Sequence, residues 1–78
     1  MDPLHDIQAL SNVDIHVYEA VAGESGEYGW AGFSALVRAT GLTEDEVRQS
    51  LQTLIGHGYV VPAEQGYGLG PHTFGVER

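Results

Sequence analysis

Apolar residues recur at helical spacing in three separate stretches of the chain. In the first, Val13, Val17, Ala20 and Val21 fall on one face, and Ile15 and Tyr18 widen it. Ser11 or Asn12 supplies a side-chain acceptor for the free N–H groups of the first turn, and Asp14 adds negative charge where the helix dipole favours it. The pattern predicts a helix from about residue 12 that stops at Gly23. Four glycines between residues 23 and 32 then predict a loop, with Tyr28 and Trp30 in a very short strand inside it. Phe33, Leu36, Val37 and Thr40 form the inner face of a second, two-turn helix, and Gly41 stands where a left-handed C-terminal cap belongs.

The third stretch carries the strongest local signal. Thr43-Glu44-Asp45-Glu46 is a capping box, with the Thr43 hydroxyl and the Glu46 carboxylate each serving the other's backbone N–H. Val47, Leu51, Leu54 and Ile55 continue at i, i+4, i+7 and i+8, which predicts an amphipathic helix of about twelve residues. Gly56-His57-Gly58 ends it. Tyr59-Val60-Val61-Pro62 reads as a short apolar strand with the proline at its end or on an edge. Gln65-Gly66 predicts a hairpin turn, and Tyr67-Gly68-Leu69-Gly70 a weak returning strand. Residues 71–78 read as a tail in which Phe74 and Val76 could dock. The expected organisation is an N-terminal segment over residues 1–10, one folded unit over residues 11–70 and a C-terminal tail.

The order helix, short strand, helix, tight turn, helix, hairpin resembles a winged helix-turn-helix domain of the kind found in bacterial and archaeal transcription regulators. Residues 33–70 carry the resemblance. Within them Ala39-Thr40-Gly41-Leu42-Thr43 is similar to the turn between the two helices. Residues 46–55 resemble the recognition helix, and Gly58-Tyr59-Val60-Val61 resembles the exit into the wing. The resemblance implies an α+β fold of three helices and a two-stranded, possibly three-stranded, antiparallel wing. It also implies that Thr43, Glu44, Asp45, Arg48, Gln49 and Gln52 occupy the positions that would face a major groove. Fold alone does not settle function, since winged helices also bind proteins.

Length and charge narrow the choice. At 78 residues the chain supports one small core, with about 60% of its surface buried. It has 11 acidic residues, three arginines, no lysine and a net charge of −8. Non-specific DNA affinity comes from phosphate neutralisation, and typical binders make about 6–10 such contacts. Arg38, Arg48 and Arg78 cannot supply that number, and a dimer would add repulsion as well as cations. Glu44 and Asp45 stand where a DNA reader would face its target, and the wing offers Glu64 and Gln65 where a cation is expected. Acids in a first helical turn also stabilise the helix by a few tenths of a kcal/mol each, which accounts for their presence without making the surface attractive to DNA.

Candidate chemistry is sparse. Ser34 and Ser50 stand at no recognisable spacing from a histidine and a carboxylate. Four scattered histidines include an Asp14/His16 pair, which on a helix points in roughly opposite directions (about 200° apart). Gly66, Gly68 and Gly70 alternate, but no helix follows them as a dinucleotide loop requires. There is no cysteine, so disulfides and thiolate metal sites are excluded. No enzyme activity, cofactor or metal is therefore expected. Met1-Asp2-Pro3-Leu4-His5-Asp6 has neither the basic nor the apolar run of a secretory signal, and no segment suits a membrane span, so a cytoplasmic location is expected. The expected function is that of a non-catalytic acidic module, monomer or homodimer, that binds a basic protein. A nucleic-acid-binding protein whose groove it covers, as an inhibitor or adaptor would, fits that description. The alternative is a small DNA-binding regulator. The candidate partner-binding residues are Glu44, Asp45, Arg48, Gln49, Gln52 and Glu64, with Tyr28 and Trp30 added as aromatics in a glycine-rich loop.

Overall fold

Ser11 opens the first helix, α1 (Asn12–Ser25). Its Oγ accepts from the Asp14 N–H at 3.1 Å, and Asp14 Oδ2 accepts from the Ser11 N–H at 3.1 Å, a reciprocal cap. The computed structural model describes residues 10–26 and 28–71. The expectations for residues 1–9 and for a docked Phe74 or Val76 lie outside them.

The buried face of α1 comprises Asp14, Val17, Tyr18, Val21 and Ser25. It is turned by one residue from the predicted face, so that Asp14 is buried and Val13 exposed. A carboxylate can occupy this position because two donors satisfy it: the Ser11 N–H and the Ser50 hydroxyl of a neighbouring helix. The helix also runs past Gly23, which keeps an ordinary backbone conformation. The Ser25 hydroxyl donates to the Ala22 carbonyl at 3.3 Å, and the helix ends only at Gly26.

The second helix, α2 (Phe33–Thr40), buries Leu36, with Phe33 and Val37 packed partly against the core. It ends as predicted, with Gly41 in the left-handed region (φ 73°) and its N–H donating to the Val37 carbonyl. Thr40 Oγ1 donates to the Leu36 carbonyl at 2.8 Å and accepts from the Leu42 N–H at 3.2 Å, which fixes the path of the turn. Thr43 then caps α3 (Glu44–Gly56), whose buried residues are Val47, Ser50, Leu51 and Leu54. The chain leaves α3 through His57 and Gly58, and the Tyr59 N–H donates back to the Leu54 carbonyl at 3.0 Å.

Two strands follow, β1 (Val60–Ala63) and β2 (Gly66–Leu69), paired antiparallel from Val60↔Leu69 to Ala63↔Gly66. The hairpin turn is Glu64-Gln65, one residue earlier than predicted, because Gly66 pairs with Ala63 and belongs to the strand. The strand expected at Tyr28 and Trp30 is instead a single bridge at Ala31, whose N–H and C=O both bond Tyr67 (2.7 and 2.9 Å). The described residues thus form an α+β fold of three helices and a two-stranded antiparallel sheet, compatible with a winged-helix arrangement. Helix α1 packs against α2, α3 and β2, and α3 also packs on β1. The core so enclosed includes Val17, Val21, Leu36, Val47, Leu51, Leu54 and Val60, and it reaches back to Leu10.

Candidate functional site

The first turn of α3 sets the electrostatics of its outer surface. Glu46 is turned back on the cap: its Oε1 accepts from the Thr43 N–H at 3.0 Å and from the Thr43 hydroxyl at 3.2 Å, while the Glu46 N–H donates to Thr43 Oγ1 at 3.1 Å. Glu44 and Asp45 extend into solvent. The one cation of the helix, Arg48, donates through Nη1 to Asp45 Oδ1 at 2.9 Å. Its guanidinium carbon lies 5.3 Å from the centre of the Phe33 ring, over its face. An exposed pair at i,i+3 contributes only about 0.2–0.5 kcal/mol. Its consequence is local charge: three carboxylates and one guanidinium leave the helix N-terminus negative.

Asp45, Arg48, Gln49 and Gln52 line one open depression on this face. Gln49 also borders a shallow cleft of about 390 Å³ between α3 and the start of α1, lined by Ser11, Val13, Asp14, Glu46, Ser50 and Thr53. Apart from the Gln49 amide, the cleft's polar side chains have hydrogen-bond partners within the fold. Asp14 holds Ser11 and Ser50, Glu46 holds Thr43, and the Thr53 hydroxyl donates to the Gln49 carbonyl at 3.3 Å.

The remaining candidates lie around the sheet. Glu64 is exposed in the hairpin turn. Tyr28 is 74% exposed, and its ring sits 6.0 Å from that of the half-buried Trp30. Their loop abuts β2 on the edge opposite β1, through the Ala31 bridge. The predicted residues therefore form two groups, one on α3 and one at the sheet.

Sequence reasoning predicted the hairpin but counted only Glu64 of it among the candidate residues. Its eight strand residues carry no charged side chain, and Val61, Pro62, Ala63 and Leu69 are all exposed. Pro62 has a specific place there. Both backbone groups of its register partner Tyr67 bond Ala31, so they point away from β1. The Pro62–Tyr67 pair is thus a non-hydrogen-bonded one, and the proline nitrogen faces the open edge of β1. The proline removes no bond from the ladder and deletes a donor from that edge. The alternating glycines also acquire a reason. A Cβ on Gly66 would lie 2.1 Å from the Ala31 carbonyl oxygen, and one on Gly68 would lie 2.7 Å from that of Gly29. The aromatic loop lies too close against β2 for any side chain to intervene.

Other chemistry finds no cluster. Among the described residues no three His, Cys, Asp or Glu side chains come together to hold a metal. The ring of His16 bonds the Thr40 carbonyl through Nε2 at 3.0 Å, tying α1 to the end of α2. Ser50 is buried against Asp14, and Ser34 lies exposed on α2. No helix among the described residues is long and apolar enough to cross a membrane. Comparison with protein-family models, with curated proteins and with solved structures finds no match.

Proposed function

We propose that this chain is a non-catalytic winged-helix module that binds a basic protein, α2 and α3 being its helix-turn-helix and the β1–β2 hairpin its wing. The observation that carries this reading is the state of Arg48. The single cation on the helix that would enter a major groove is already paired with Asp45 and seated on Phe33, beside the exposed Glu44. A DNA reader needs about 6–10 phosphate contacts, from cations on both its helix and its wing. Here the wing strands carry no charge, and the turn between them presents Glu64. A net charge of −8 steers encounter toward a positively charged surface and away from phosphate. The acidic helix face then plays the part of a nucleic-acid backbone, covering the groove of a cytoplasmic nucleic-acid-binding partner.

The test is fluorescence anisotropy against random-sequence duplex DNA at low salt, alongside an arginine-rich peptide followed by amide chemical shifts. The expected result is no duplex binding at high micromolar protein and peptide-induced shifts that include Glu44, Asp45, Gln49 and Gln52. Duplex binding that falls steeply with added salt would refute the proposal and favour a DNA-binding regulator.

A further inference from the structure

We infer that the Tyr28–Trp30 ring pair is a second contact of this module, and that it receives an arginine side chain of the basic partner. This rests on the protein-binding reading above and adds to it a place and a mode of contact. The loop that carries the rings is held on both sides of Trp30. Before it, the Gly29 N–H donates to the Ser25 carbonyl at the end of α1, at 2.7 Å. After it, Ala31 makes both of its backbone bonds to Tyr67 of β2. Gly66 and Gly68 let the Ala31 and Gly29 carbonyls press directly on that strand. Tyr28 is nonetheless 74% exposed, so its exposure is not that of an unanchored loop. Its ring centre lies 6.0 Å from that of Trp30 with the planes inclined at 45°, an open wedge rather than a closed stack. Aromatic side chains fixed in this way make contacts at little further cost in conformational entropy.

Charge decides the occupant. The faces of aromatic rings carry partial negative charge and attract cations. The stretch from Gly23 to Gly32 contains two glutamates and no basic residue. An anionic ligand would find no counter-charge in it, and a second copy of this chain would bring −8 against −8. A wholly apolar segment would gain nothing from the acidity of the stretch. The flat guanidinium of arginine suits both features, since it stacks on a ring face and pairs with carboxylates through its edge. Arg48 takes up this position within the chain itself, 5.3 Å from the centre of the Phe33 ring while paired with Asp45.

The experiment titrates two peptides of equal length into the full chain at physiological salt. One alternates arginine with serine, and the other replaces each arginine by citrulline, its uncharged isostere. The protein variants are Tyr28→Phe, Tyr28→Leu and Glu44→Gln/Asp45→Asn. Tyr28 is exposed, and a matching urea midpoint verifies that its variants fold. With the unsubstituted chain, the arginine peptide is expected to change the fluorescence of Trp30, the single tryptophan, and its arginine side-chain protons are expected to shift upfield under the ring currents. Tyr28→Phe keeps a ring face and should retain the affinity, while Tyr28→Leu should weaken it about threefold. An arginine peptide that binds without the upfield shift, or with undiminished affinity for the Tyr28→Leu variant, would overturn the ring pair as a contact. In that case weakening by the Glu44→Gln/Asp45→Asn variant would still uphold the acidic helix. Equal affinity for the citrulline peptide would overturn the cation as occupant. Binding of neither peptide up to millimolar concentration would overturn this inference, and duplex DNA binding would remove the reading beneath it.

Discussion

Replacing Asp14 by alanine tests the contact that joins α1 to α3. The carboxylate is 8% exposed, accepts from the Ser11 N–H at 3.1 Å and from the Ser50 hydroxyl, and stands 36 residues from that serine in sequence. A hydrogen bond to a charged group is worth about 1.5–3 kcal/mol, and a buried hydroxyl left without its acceptor adds to the loss. The Ser11 N–H is close to solvent and regains a partner in water, so its share is a few tenths. The expected destabilisation is about 2–3 kcal/mol, a large fraction of the roughly 4–12 kcal/mol that a chain of this size commands. Urea unfolding followed by Trp30 fluorescence reads it. With a slope near 1 kcal/mol/M for so small a protein, the midpoint falls by about 2–3 M. Ser50→Ala removes the donor instead and leaves a buried carboxylate oxygen without it, an expected loss of about 1–3 kcal/mol. The double variant closes the cycle, with a coupling of about 1–2 kcal/mol. A coupling below about 0.5 kcal/mol would mean that water satisfies both groups and that the contact does not hold the two helices together.

Leu51→Ala removes a side chain that is essentially inaccessible to solvent and should cost about 2–5 kcal/mol; a loss below about 1 kcal/mol in the same urea assay would place Leu51 outside the core. Gly23→Ala meets no atom within 4 Å inside an exposed turn of α1 and should stabilise by about 0.5–1 kcal/mol, seen as a higher melting temperature. Gly66→Ala drives a methyl group into the Ala31 carbonyl and should lower the melting temperature; equal effects at the two glycines would contradict the close approach. Glu44→Lys combined with Asp45→Lys should give measurable duplex DNA affinity at low salt, with a steeper salt slope of about one unit per new phosphate contact. No gain would mean that this face is inaccessible to a duplex.

What the chain revealed in advance is what local chemistry decides. The Thr43/Glu46 box, the Gly41 cap and the Val47-Leu51-Leu54 stripe each depend on residues within one or two turns, and all three stand where the pattern put them. The errors occur where a distant group overrides a local preference. Val13 looked like a core residue and Asp14 like a dipole-favoured surface acid until the Ser50 hydroxyl arrived from another helix and turned the face by one position. Gly23 looked like a stop because glycine is a poor helix former, yet its deficit is only about 1 kcal/mol, and the helix continues to the buried Ser25, whose hydroxyl donates to the Ala22 carbonyl. The Glu64-Gln65 turn was displaced because Gly66 is needed in the strand, where the Ala31 backbone passes too close for a side chain.

The candidate site was legible in composition and hidden in arrangement. The run Glu44-Asp45-Glu46 reads as a block of like charge, but the fold gives its members different tasks. Glu46 closes the cap, Asp45 holds Arg48, and Glu44 extends into solvent. The sum over that stretch is three negative charges and one positive, and the positive one is already paired with Asp45. An approaching phosphate would have to displace Asp45 from Arg48 while facing Glu44, whereas an approaching guanidinium would be attracted by the solvent-exposed Glu44 carboxylate. The pair itself is weak, at a few tenths of a kcal/mol, so it does not lock Arg48 in place. It sets the sign of the surface, and that sign selects among partners by their charge. In the proposed reading, the acidic helix face and the uncharged wing strands both favour a cationic protein surface over a phosphate backbone.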